Sequence, residues 1–83
     1  LKLLFLIAKS WTASDFHTLL ASCQNLQSLT LLGIKNSIIE KETDKIEGGK
    51  DITELTMRAC PKIGNPFVEE VFQSFEKLSK LAI

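Results

Sequence analysis

The chain has 83 residues, 45% of them apolar, with ten basic and ten acidic side chains that leave no formal net charge. That length allows one small domain but not a large enclosed core. The charge balance gives no electrostatic footprint for nucleic acid or an anionic membrane, and the opening LKLLFLIA is too short to span a bilayer and lacks the features of a signal peptide.

Along the chain, four short segments share one spacing. Leu1-Leu4-Leu6, Leu26-Leu29-Leu31, Ile52-Leu55-Met57 and Leu78-Leu81-Ile83 each read aliphatic, two residues, aliphatic, one residue, aliphatic, and their starts lie 25, 26 and 26 residues apart. Self-similarity at such a period predicts an α/β solenoid, in which each unit is one strand plus a return segment and none can bury its apolar face alone.

In the first unit, a strand from Leu1 to Ile7 leads through Lys9-Ser10-Trp11-Thr12 into a helix, with Ser14 as the expected cap and Asp15 at the positive end of the dipole. Phe16, Leu19, Leu20 and Cys23 then form one apolar helical stripe. In the second unit the same offsets, counted back from the following strand, give Glu42, Lys45, Ile46 and Gly49, of which only Ile46 suits a core. The charged run from Glu40 to Asp51, with its two glycines, predicts a solvated loop or a short frayed helix.

The third unit returns to the first pattern. Asn65 is the expected cap, Pro66 the first helical residue, Glu69 and Glu70 fill the first turn, and Val68, Val71, Phe72 and Phe75 are the expected buried stripe. A last strand begins at Leu78. The chain opens and stops on strand-like runs without a polar capping unit, so residues 1–83 read as a single repeat segment of a longer protein.

With Cys60 and Ile63 after the third strand motif, and Cys23 in the run Ser22-Cys23-Gln24-Asn25-Leu26, the chain resembles the leucine-rich repeats over its whole length. It is similar in particular to their cysteine-containing type. The resemblance implies about three repeats plus a final strand, with short parallel strands on a concave face and helices or loops on a convex one. That type is typical of F-box substrate receptors of ubiquitin ligases, whose repeats grip a substrate protein while a separate F-box contacts the ligase core. No F-box is recognisable in these residues, so the implied ligase contact belongs to a domain outside this chain. Lys9 and Ile34 depart from the family pattern at the bend after the strand, where Asn36 is a partial substitute in its turn.

Residues that could carry chemistry are sparse. His17 has no partner at metal or catalytic spacing and reads as a solvent-facing helical residue, while Cys23 and Cys60 read as reduced and buried, which points to a cytoplasmic or nuclear, intracellular setting. Gly48-Gly49-Lys50-Asp51 lacks the Ser or Thr and the following helix of a phosphate loop. The carboxylates of residues 40–51 alternate with lysines, as on a solvated face. No catalytic residue, metal site or cofactor is indicated, and the chain does not read as an enzyme.

Side chains alternate along a strand, so the residues between the aliphatic positions face outward. They are Leu3, Phe5 and Ile7, then Ser28, Thr30 and Leu32, then Glu54, Thr56 and Arg58, and finally Lys80 and Ala82. This surface runs from apolar to charged along the stack. Phe5, Ile7 and Leu32 form its apolar end, which marks a protein-binding site unless flanking repeats cover it. The expected role is a protein–protein interaction module, with two rivals: the repeat region of an innate-immune nucleotide-binding receptor, and a structural spacer.

Overall fold

The computed structural model describes residues 2–83; Leu1, the first position of the first strand motif, lies outside them. The sequence spacing becomes a four-stranded parallel sheet with strands in the order β1-β2-β3-β4. β1 is Leu3–Ile7, β2 Ser28–Leu32, β3 Glu54–Arg58 and β4 Lys80–Ala82. The molecule is therefore α/β, with one helix between β1 and β2 and a second between β3 and β4.

Register follows the repeat. Leu4, Leu29, Leu55 and Leu81 lie side by side across the sheet, and Leu6, Leu31 and Met57 form a second inward row. Leu29, Leu31 and Leu55 are wholly buried. Each such side chain gains about 1.5–3 kcal/mol from leaving water, and a one-residue slip would turn the whole row to solvent, so the register is strongly specified. One backbone device recurs where each strand begins. The carbonyl of Lys2 accepts from the N–H groups of Gln27 and Ser28, that of Gln27 from Thr53 and Glu54, and that of Thr53 from Ser79 and Lys80, at 2.8–3.2 Å.

α1 spans Ala13–Ser22 and is capped by Thr12, not by Ser14. Thr12 Oγ1 accepts from the Asp15 N–H at 3.2 Å while the Asp15 carboxylate accepts from the Thr12 N–H at 2.9 Å. This reciprocal pairing needs a carboxylate three residues after the cap, which Thr12 has and Ser14, three before His17, does not. Ala13, Phe16 and Leu20 are buried; Leu19 and Cys23 pack against the core from half-buried positions.

α2 spans Asn65–Ser74, with Gly64 as its cap. The Val68 N–H bonds to the Gly64 carbonyl at 3.3 Å, which puts Asn65 inside the helix. Its buried residues also differ from the expected set: Phe67, Val71 and Phe75 point inward, Val68 is half-buried and Phe72 is 59% exposed. The helix is in step with the strand before it rather than the strand after it. Phe67 follows Leu55 by 12 residues, as Phe16 follows Leu4, whereas Val71 precedes Leu78 by seven residues and Leu20 precedes Leu26 by six. Offsets counted back from the later strand are therefore one residue out.

Between β2 and β3 there is no helix. Ile34, Ile38 and Ile46 anchor this segment in the core, and its backbone is tied to both helices. His17 Nε2 donates to the Lys45 carbonyl at 2.8 Å, Ser74 Oγ donates to the Gly48 carbonyl at 2.7 Å, and Lys45 pairs with Glu70 at 3.5 Å. His17 is exposed, as expected of it, but its ring also fastens the loop to α1. Phe16 of α1 and Phe67 of α2 meet directly, ring centroids 5.9 Å apart, with Trp11 edge-on to Phe16 at 5.8 Å.

Candidate functional site

The sheet has one buried face and one open face, and the open face carries the residues that alternation predicted. Its rows are Leu3-Ser28-Glu54-Lys80, Phe5-Thr30-Thr56-Ala82 and Ile7-Leu32-Arg58. The register thus brings all ten candidate residues onto one surface. Leu3, Phe5 and Ile7 on β1 are 66%, 58% and 74% exposed. Ser28, Thr30, Leu32 and Thr56 are half-buried, and Glu54, Arg58 and Lys80 are exposed.

Order along the face is set by strand order. β1 contributes only apolar side chains, β2 two hydroxyls and Leu32, β3 a hydroxyl between Glu54 and Arg58, and β4 Lys80 and Ala82. An apolar end beside a polar and charged end offers dispersion and area at one side and directional contacts at the other. Leu32 lies next to Ile7 in its row, so the apolar patch continues from β1 to β2. Arg58, next again, borders it.

Two features shape the strand ends. Gly33 and Ala59 follow β2 and β3 and both take left-handed backbone, with φ of 84° and 53°. The turns leaving the strands are then fastened across units: the Asn36 side chain accepts from the Trp11 N–H at 2.9 Å and donates to the Trp11 carbonyl at 2.6 Å, and Ser37 Oγ donates to the Lys62 carbonyl at 2.9 Å. Asn36 thus supplies backbone partners in the turn, as its position suggested. Ile34, which follows Gly33, is fully buried and packs in the core.

Neither cysteine is bonded to another, and both are half-buried rather than fully enclosed. Cys60 Sγ donates to the Arg58 carbonyl at 3.2 Å. Among the described residues no group of His, Cys, Asp and Glu is arranged to hold a metal ion, and no helix is long and apolar enough to cross a membrane. Compared with protein-family models, curated proteins and solved structures, the chain matches none.

Proposed function

We propose that this chain is a leucine-rich-repeat segment that acts as a protein–protein interaction module, with the open face of its sheet as the binding surface. The observation that carries this reading is the exposure of Leu3, Phe5 and Ile7, 58–74% each, in register with Leu32 and Arg58 on one face. A contiguous apolar surface rimmed by polar groups is what partner sites use, and aromatic and Arg side chains are frequent anchors. The even strand spacing and the repeated carbonyl device support a repeat architecture.

Within that reading, the residue pattern favours the substrate-gripping part of an F-box-type ubiquitin ligase receptor, in which the ligase core would be contacted elsewhere in the protein. The test is crosslinking capture from cell lysate with the parent-length protein, comparing wild type with the triple variant Phe5→Ala, Leu32→Ala, Arg58→Ala. Loss of one client with ligase-core subunits retained is the expected result. An unchanged set of captured proteins would reject the open face as the binding surface and leave the segment a spacer.

A further inference from the structure

β1 differs from the other strands in being apolar on both faces. Leu4 and Leu6 join the inward rows, while Leu3, Phe5 and Ile7 are exposed on the open face. An unbroken apolar run is the pattern of a strand covered on both sides. The remaining residues of the open face indicate what covers it.

That face has a two-fold character about its middle row. Phe5, Thr30, Thr56 and Ala82 form the row, with Leu3, Ser28, Glu54 and Lys80 to one side of it and Ile7, Leu32 and Arg58 to the other. A second copy laid face to face, turned over about an axis that runs across the strands at the middle row, exchanges the two outer rows. Leu3 of each copy then lies opposite Ile7 of the other, Phe5 opposite Phe5, Thr30 opposite Thr30 and Thr56 opposite Thr56. Glu54 of each copy lies opposite Arg58 of the other, so one pair of residues makes two contacts of opposite charge, the reciprocity of an isologous interface. Ser28 opposite Leu32 is the one mixed pairing, and Lys80 stays at the rim beside Glu54.

The other complete overlap, about an axis parallel to the strands, sets β1 over β4 and β2 over β3. Leu3 would then meet Lys80 and Leu32 would meet Arg58, which desolvates charges without a compensating contact. Chemistry therefore selects the first arrangement. Glu54 and Arg58 are both exposed, and neither is ion-paired among the described residues, whose salt bridges join Lys45 to Glu70 and Lys77 to Asp51. Hydroxyls pair with their own kind because each can donate and accept. The contact spans roughly 19 Å across four strands and roughly 16 Å along five residues, at the low end for a specific complex. Its Kd accordingly lies between about 10 μM and about 1 mM, weak enough for a client of the same face to displace.

We infer that, when no client occupies it, the open face pairs with the open face of a second copy in this turned-over register, Glu54 against Arg58. This rests on the open-face reading above and names a first partner for that surface.

The experiment is analytical ultracentrifugation of the chain from about 10 μM to about 2 mM. It compares wild type with Arg58→Glu, with Glu54→Lys, with Phe5→Ser, and with an equimolar mixture of the two charge variants, in which every facing pair is again of opposite sign. Wild type should approach twice the monomer mass, each single charge reversal and Phe5→Ser should weaken association at least about tenfold, and the mixture should recover to within about threefold of wild type. A wild type still monomeric at about 2 mM, single reversals that associate as tightly as wild type, or a mixture that associates no better than its components would overturn the inference. The substituted side chains are exposed, and amide spectra unchanged away from the substitutions verify the fold. A monomeric wild type whose client is still lost with Phe5→Ser and Ile7→Ser would overturn self-pairing alone. Charge-reversible pairing with the client retained by that variant would support self-pairing and overturn the client reading alone.

Discussion

Gly49→Ala is a demanding single change for this structure. Gly49 has φ of 73°, a left-handed conformation that costs a side-chain-bearing residue about 1–2 kcal/mol. A Cβ there would also collide with the ring of Phe75, which is only 1% exposed and cannot swing into solvent. Overpacking of that kind costs about 1–3 kcal/mol, so the sum is about 2–5 kcal/mol. Urea unfolding followed by the single Trp11, which packs edge-on to Phe16, reads the change directly. Phe75→Leu in the same background separates the two contributions: with the ring gone, Gly49→Ala should cost only the backbone part, about 1–2 kcal/mol. A neutral Gly49→Ala, or a cost unaffected by Phe75→Leu, would refute the packing of the loop against α2.

Five further substitutions probe the rest of the fold. Leu55→Ala, at a fully buried position, should lose about 2–5 kcal/mol, and Leu81→Ala less, because Leu81 is half-buried on β4; urea midpoints compare them. Ala59→Gly should raise the thermal midpoint, relief of left-handed strain exceeding the added unfolded-chain entropy by up to about 1 kcal/mol, while Gly33→Ala at the matching turn lowers it. Asn36→Ala should cost about 1–3 kcal/mol by leaving the Trp11 N–H and carbonyl without partners, with faster hydrogen exchange at Trp11.

The strands were legible because two periods coincide: alternation within a strand fixes which face a residue joins, and the 25- or 26-residue repeat fixes its neighbours. The same logic named every residue of the open face. Helical faces were less so. A helix advances 100° per residue, so the one-residue difference between counting from β3 and counting from β4 exchanged Val68 for Phe67 and left Phe72 outside. The segment between β2 and β3 was legible only as a solvated loop or a short frayed helix, and of its three anchoring isoleucines the repeat offset singled out Ile46 alone. Contacts such as Asn36 with Trp11 and Gly49 with Phe75 join residues about 25 apart, and no local pattern encodes them.

Two exposed aromatic surfaces compete for the role of partner site: Phe5 on the open sheet face, 58% exposed, and Phe72 on α2, 59% exposed. Near-equal exposure makes them a matched pair. The decisive measurement is capture of a client by the parent-length protein carrying Phe5→Ser with Ile7→Ser, beside the same protein carrying Phe72→Ser. Loss of the client in the first and retention in the second is the predicted result. Retention in the first with loss in the second would contradict the open-face account and move binding to the helical side.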